Sequence, residues 1–300
     1  MFTGSAAEAR LRALGEVAVF AERGAEDEAE LIRRIGGARA VVNIRAYSKF
    51  TGRVLAACPR LRLISVWGTG TDNVDLAACG ARGVAVENTP GVNAHAVAEH
   101  TLALILSVTR AIPTMDAAVR AGQWPRRLLT QLEGKTLGLV GLGAIGSRVA
   151  SLARPFGVQL LVSTWGPDRG RAALAGARHV PLETLLRESD IVSLHMRLTD
   201  ETRGMLGRAE FALMKPSAFL VNTARAALVD RMSLIDALQH GRIAGAALDV
   251  FHQEPVAADD PLLSLPNVVL TPHDAGMTPE VIDLGLQEAV GNVARFLSGS

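Results

Sequence analysis

The sequence predicts an α/β protein with two doubly wound parallel-sheet units, and three observations support this. Short apolar runs alternate with helical segments along almost the whole chain, the pattern of repeated β–α–β units. One apolar run, residues 136–140, leads directly into Gly141-x-Gly143-x-x-Gly146 and then into a helix. At 300 residues, the chain is long enough for two domains of about 150 residues each.

The glycine-rich stretch is the most informative. Gly141 permits a tight turn, Gly143 lets backbone approach a pyrophosphate, and Gly146 lets helix pack closely on strand. Phosphates would sit at the helix N-terminus, where free N–H groups and the dipole favour negative charge. A second apolar strand at 158–162 completes the context. Strand, glycines and helix in this order mark a Rossmann dinucleotide-binding unit, against the alternative of a glycine-rich structural turn.

Taken in order, helices are expected at 7–14, 26–35 and 51–57, with strands at 16–20, 40–44, 61–66 and 84–87. Such a unit normally opens with a strand, yet residues 1–4 are at most the tail of one. Either the start is truncated or misassigned, or this unit dispenses with a strand. Helices at 94–110 and 114–123 lead to the glycine-motif strand. Further strands follow at 191–194, 219–222, 245–250 and 268–270, and a closing helix at 279–297 is expected to return to the first unit. The expected division is 1–90 with 277–300 as a discontinuous, flavodoxin-like domain, 91–276 as the Rossmann domain, and a cleft between them.

Composition removes several functional classes. Hydrophobic residues make up 49% and aromatics 4%, which suits an Ala/Leu/Val-packed core. A net charge near +1 without a basic block points to neither nucleic acid nor a membrane surface. The most apolar helix, near 98–108, is too short to span a bilayer, and the N-terminus lacks a signal-peptide layout. Cys58 and Cys79 have no metal-ligand spacing and are read as reduced packing residues of a cytoplasmic protein; no metal is expected.

In open parallel sheets, chemistry collects beyond the C-terminal strand ends. Polar residues at those positions are Arg45, Thr69 with Gly70, Asn88, Thr164, His195, Arg225, Asp249 with Glu254, and His273. His179, His240 and His252 are read as surface residues, and His95 and His100 as structural residues of an apolar helix. Arg225 offers a planar fork for a carboxylate. Glu254 and His273 suit a carboxylate–imidazole pair, in which the carboxylate favours imidazolium and raises the histidine pKa. A proton donor beside a hydride donor is what carbonyl reduction needs.

At these residues the chain resembles the D-isomer-specific 2-hydroxyacid dehydrogenase family, over roughly residues 36–295. The matching motifs are Gly68-Thr-Gly-Thr-Asp-Asn-Val-Asp75, Asn88-Thr-Pro-Gly91, Gly141-Leu-Gly-Ala-Ile-Gly146, and Met214-Lys-Pro through Asn222-Thr-Ala-Arg225. Gly241-Arg-Ile-Ala-Gly-Ala-Ala-Leu-Asp-Val250, Glu254-Pro255 and Asn267-Val-Val-Leu-Thr-Pro-His273 match as well. The resemblance implies that Arg225, Glu254 and His273 are catalytic. Arg225 would orient a small 2-oxo acid, His273 would donate the proton, and Glu254 would tune His273. It further implies that amides at Thr69 and Gly70 hold the substrate carboxylate. Pocket specificity is expected from Arg45, Ala46, Tyr47, Trp67 and residues of a partner subunit. Ala144, Ile145, Thr164, Met196, Thr202, Thr223, Ala224 and Asp249 would line NAD or NADP, and the protein would be a homodimer.

The departures are informative. Thr164 stands where the family often has an acid for the adenosine ribose, with Arg169 and Arg171 close behind, which gives a slight lean to NADP. Ala226 follows Arg225 where glycine is common, so the loop must hold Arg225 with ordinary backbone angles. His195-Met196-Arg197 replaces a common His-x-Pro, and Asp274 is expected to face water. Formate-type oxidation is disfavoured by Glu254, since that branch carries an amide there. The competing reading from another class is a nucleotide-sensing, corepressor-like binding protein.

Overall fold

The computed structural model describes residues 3–22, 24–44, 47–164, 172 and 175–299. Arg45, Ala46, Arg169 and Arg171, named above, lie outside the described residues. The chain divides into two compact units, Met1–Asn93 with Met277–Ser300, and Ala94–Gly276.

In the first unit, strands β1 (Ala40–Asn43), β2 (Leu63–Val66) and β3 (Ala85–Asn88) form a parallel sheet in that order. Ala40 pairs with Leu63, and Leu63 with Ala85. Helix α1 (Ala6–Arg12) is N-capped by Ser5, α2 (Glu28–Ile35) by Asp27, α3 (Gly52–Ala57) by Thr51 and α4 (Leu76–Ala81) by Asp75. Each capping oxygen accepts a backbone N–H that the helix leaves unsatisfied. Leu31, Ile35, Phe50, Val54, Leu55, Ile64 and Val66 form the core of this unit, and Cys58 and Cys79 are buried in it as free thiols.

Residues 16–20 are not a strand. Apolar alternation is present there, but the segment has no neighbour to pair with among the described residues. The Val17 carbonyl accepts from Arg12 and the Glu22 carbonyl from Arg34, while Phe20 lies exposed beneath the Arg33 and Arg34 guanidinium groups.

The Ala94–Gly276 unit holds a seven-stranded parallel sheet among the described residues. Its strands are β4 (Thr136–Val140), β5 (Gln159–Ser163), β6 (Arg178–His179), β7 (Ile191–Leu194), β8 (Phe219–Asn222), β9 (Gly245–Leu248) and β10 (Val268–Leu270). The order is β10-β9-β8-β7-β4-β5-β6, so the chain reverses direction across the sheet at β4. That reversal is the switch point at which doubly wound sheets bind ligands. The sequence reading did not include β6, whose two residues are too few to carry a periodic pattern.

Helix α5 (Ala94–Thr109) and α7 (Ala144–Ala153) pack together on one face of this sheet. Ala98, Ile105, Leu139, Val149 and Ala150 are buried between them. A second core, centred on Leu185, Leu220, Leu234 and Leu248, fills the other face. Between α5 and α6 (Ile112–Arg120), the chain turns at Ala111, whose φ of 48° is left-handed. Three further helices, α8 (Leu182–Glu188), α9 (Arg208–Leu213) and α10 (Arg231–Gln239), complete the unit.

The closing helix α11 (Pro279–Ser298) packs on α1 and β2 of the first unit, burying Leu286 and Val290 with Ala7. Asn292 donates from Nδ2 to Ser65 Oγ and to the Asn88 carbonyl, so the helix is tied to the strand ends. Among the described residues, no single helix is long and apolar enough to cross a membrane.

Candidate active site

The glycine turn after β4 has the geometry its spacing implies. Gly141 has φ 102°, and a Cβ there would meet the His195 carbonyl oxygen at 2.6 Å. A Cβ at Gly146 would drive into the Gly141 carbonyl, so the helix lies against the strand only because that side chain is missing. At Gly143, a Cβ would meet nothing within 4 Å. This glycine is exposed and forms the N-cap of α7, with no side chain capping the free amides beyond it. Open space in front of an uncapped helix start fits a pyrophosphate. Ala144 is exposed beside it, Ile145 packs partly on the core, and the Met196 sulfur borders the turn at Gly141.

At the end of β5, Thr164 shares a 3.1 Å hydrogen bond between its hydroxyl and His179 Nε2. His179 is therefore no loose surface residue; β6 sets it opposite Val162 and beside Thr164. Thr202 is buried, and its hydroxyl donates to the Arg197 carbonyl at 2.7 Å, fixing the loop that follows His195. His195 shares a 3.0 Å bond with the Ser193 hydroxyl, and burial pushes its pKa down to about 4. It folds neutral, whereas in the unfolded chain it takes up a proton near its ordinary value of about 6.5. Below that value the unfolded state binds more protons, so stability falls as pH drops from about 6.5 to about 4. Thermal melts across that window should show a shallower acid loss for His195→Gln than for the parent. An unchanged slope would refute this assignment.

Arg225 follows β8. Asn222, 1% exposed, accepts from the Ala224 amide at 3.0 Å and donates to the Arg225 carbonyl at 3.0 Å. This side chain thus fixes both ends of the short loop that presents Thr223, Ala224 and Arg225. Thr223 is buried and shares a 2.9 Å hydroxyl bond with Thr101 of α5. Arg225 itself has φ −143° and ψ 136°, ordinary extended angles compatible with the alanine that follows. The positioning role of Asn222 was missed in the sequence; the signal was a polar residue ending a fully apolar strand.

His273 lies in the loop after β10, and its Nδ1 is 2.8 Å from Glu254 Oε2. Burial raises the Glu254 pKa, but the bonds from His273 and the Phe251 amide, with the His273 and Arg225 charges, outweigh it and hold the carboxyl below its ordinary value. The bond to Glu254 likewise holds the His273 pKa above its ordinary value, against burial and the Arg225 charge. Glu254 is therefore an acceptor, Nδ1–H is the donor, and Nε2 is left to carry a transferable proton. Arg225, Glu254 and His273 thus act on one another electrostatically within this unit. The sequence did not reveal that His273 has φ 55°, a left-handed conformation rare outside glycine.

Asp249, 1% exposed, accepts at Oδ1 from Thr271 Oγ1 (2.6 Å) and the Asp274 amide (3.1 Å), and at Oδ2 from the Ala275 amide (3.1 Å). Its carboxylate is thereby engaged with the segment bearing His273.

The first unit carries the remaining sequence-predicted residues. Thr69 and Gly70 follow β2 and Gly68, whose φ is 127°. The Asn88 side chain donates to the Thr69 carbonyl at 2.7 Å, and Thr89 Oγ1 accepts from the Gly68 amide at 2.7 Å. Among the described residues, neither the Thr69 nor the Gly70 amide has an acceptor.

Comparison with known proteins decides the family. The family model described as D-isomer specific 2-hydroxyacid dehydrogenase, NAD binding domain, matches residues 102–275. The chain belongs to the D-isomer specific 2-hydroxyacid dehydrogenase family. It is 43% identical over 266 residues to a glyoxylate reductase of Aeropyrum pernix, covering 84% of this chain and 79% of that protein. A D-3-phosphoglycerate dehydrogenase of Archaeoglobus fulgidus is 38% identical over 273 residues, covering 89% of this chain and 52% of that longer protein. Among solved structures, an acyclic imino acid reductase in complex with NADPH and D-Arg aligns with a TM-score of 0.88 at 29% identity, covering 98% of this chain and 94% of that one. As a member of this family, the chain is an NAD(P)-dependent oxidoreductase. The corepressor-like reading is not favoured, because its relatives are named reductases and dehydrogenases.

Proposed function

We propose that this dehydrogenase reduces a small 2-oxo acid of the glyoxylate or hydroxypyruvate class to the D-2-hydroxy acid. The observation that carries the reading is the Glu254–His273 pair with Arg225 acting on both. When bound, the dihydronicotinamide supplies a hydride for C2 of the substrate. His273 Nε2–H gives its proton to the carbonyl oxygen as negative charge develops there, and Glu254 stabilises the imidazolium beforehand. The sum is 2-oxo acid, reduced coenzyme and one proton giving 2-hydroxy acid and oxidised coenzyme. Arg225 fits the role of guanidinium fork for the carboxylate and carbonyl. The acceptor-free amides of Thr69 and Gly70 suit a carboxylate oxygen.

For the coenzyme, Gly141, Gly143, Ala144, Ile145 and Gly146 are assigned to the pyrophosphate, Thr164 to the adenosine ribose, and Met196, Thr202, Thr223, Ala224 and Asp249 to the remainder. Asp249 Oδ2 accepts one bond and keeps a lone pair for a coenzyme amide. A homodimer would cover the exposed apolar side chains Ile112, Val119, Trp124 and Leu128 on and after α6.

Loss of nicotinamide absorbance, with NADH and NADPH run in parallel against glyoxylate, hydroxypyruvate and pyruvate, tests the activity. No oxidation of either coenzyme with any acid would overturn the reading. Among the described residues, Thr164 and His179 bring no carboxylate to the end of β5 to repel a 2′-phosphate. NADPH is therefore expected to bind at least as tightly as NADH, and Thr164→Asp should shift the ratio toward NADH by about tenfold, roughly 1.4 kcal/mol. Strong NADH preference in a titration of the parent would defeat the coenzyme assignment and leave the rest standing.

A further inference from the structure

His273 has φ 55°, in a region where a side chain with a Cβ is disfavoured. A conformation of this kind persists only where its surroundings enforce it. The enforcing contacts all converge on the segment Thr271–Ala275. Asp249 accepts from the amides of Asp274 and Ala275, the two residues directly after His273, and from the hydroxyl of Thr271, two residues before it. The carboxylate therefore grips the chain on both sides of the histidine.

Thr271 has one hydroxyl proton, which goes to Asp249 Oδ1 at 2.6 Å. His100 Nε2 lies 3.0 Å from the same hydroxyl oxygen, so His100 must be the donor in that pair. Its Nε2 is also 3.6 Å from Asp249 Oδ1. His100 belongs to α5, a long core helix, whereas Thr271 and Asp249 are strand-end residues. The network thus anchors the His273 loop to a rigid element. Ligand atoms of His100, Asp249 and Asp274 lie within 4.8 Å of one another, but Asp249 already accepts three hydrogen bonds, and a cation would have to break them. The cluster is a hydrogen-bonded one.

We propose that Thr271 and His100 are positioning residues that act through Asp249 to lock His273 in its left-handed conformation facing Glu254. Neither needs to touch the substrate, and the sequence reading treated His100 as a structural core residue. In catalytic terms, the proposal rests on the reductase reading above; in structural terms, it stands on the geometry of the free protein.

The charged groups acting on His273 are Glu254, Arg225 and Asp249. Releasing the lock lets His273 drift from Glu254, and its titration moves down toward that of an ordinary imidazole. Thr271→Val keeps the shape and removes both hydroxyl bonds; Thr271→Ser keeps both. The imidazole Cε1–H of His273 would be followed by NMR against pH in the free protein, without coenzyme or substrate. The parent and Thr271→Ser should titrate above the ordinary value, and Thr271→Val should fall toward it. In turnover, Thr271→Val should lose about 10²-fold in kcat, the scale of an ångström-size misplacement, with Thr271→Ser restored. Should Thr271→Val fail to fold, His100→Leu decides, with the same downward shift expected. A folded variant with unaltered His273 titration overturns the lock. If the parent turns over no 2-oxo acid, the functional reading fails, and the titration, measured without substrate, still decides the lock.

Discussion

Replacing His273 by alanine should lower turnover of the 2-oxo acid by about 10²–10⁴-fold, the usual contribution of a positioned general acid. Coenzyme affinity should be retained, because the pyrophosphate site proposed at the uncapped start of α7, around Gly143, does not include the β10 loop. The companion variant Glu254→Gln gives the pH signature. Reduction requires protonated His273, whose pKa is held up chiefly by the bond to Glu254. Activity of the parent should therefore persist to a pH above the ordinary imidazole value of about 6.5 before it declines. Glu254→Gln removes the carboxylate charge, so the declining limb should move to lower pH while the low-pH plateau survives better. Rate–pH profiles of the reduction check this. A limb that stays in place in Glu254→Gln, or near-parental turnover by His273→Ala, would remove His273 from the proton-transfer step.

What the sequence made legible depended on whether the deciding physics was local. The strands at 136–140, 191–194, 219–222 and 268–270 come out with the expected bounds, since an apolar run between turn signals is a local pattern. The turn at Gly141 and the close packing at Gly146 were equally legible, because each follows from a missing Cβ at a fixed offset. The segment 16–20 failed for the opposite reason. Its alternation is strand-like, but a strand needs a partner, and pairing is non-local. The same limit hid the support of the site. Arg225, Glu254 and His273 were identified by residue type and position at strand ends. That Asn222 holds the Arg225 loop is a local contact, two and three residues along the chain, but one that residue type alone does not announce. That Asp249 grips both sides of a left-handed His273 depends on contacts between residues 22 or more apart and on a backbone angle that histidine rarely adopts. The bonds made by His100 and His179 were hidden for the same reason. On an apolar helix or a short edge strand, a histidine gives no sign of the hydroxyl it will meet.

Arg225→Leu should have the second large effect, a loss of about 10²–10³ in kcat/KM, the scale of removing one donor from a developing oxyanion. The loop geometry supports a role that depends on the fork. Asn222 fixes the backbone on both sides of Ala224, and Arg225 Nη1 also donates to the Ala224 carbonyl at 2.8 Å, so the guanidinium is oriented in advance. Lysine has the charge without the planar fork, so Arg225→Lys should recover only part of the loss. The pH behaviour separates this residue from Glu254. The Arg225 charge lowers the pKa of both Glu254 and His273, so removing it should move the His273 limb upward, opposite to Glu254→Gln. Arg225→Leu should therefore show a much reduced rate whose alkaline decline is displaced to higher pH, with KM for the 2-oxo acid raised and coenzyme affinity retained. If Arg225→Lys is as active as the parent, a positive charge alone suffices and the fork has no role. If the limb of Arg225→Leu moves downward, Arg225 stabilises the imidazolium through some contact other than direct repulsion, and the electrostatic account of the Arg225, Glu254 and His273 set fails.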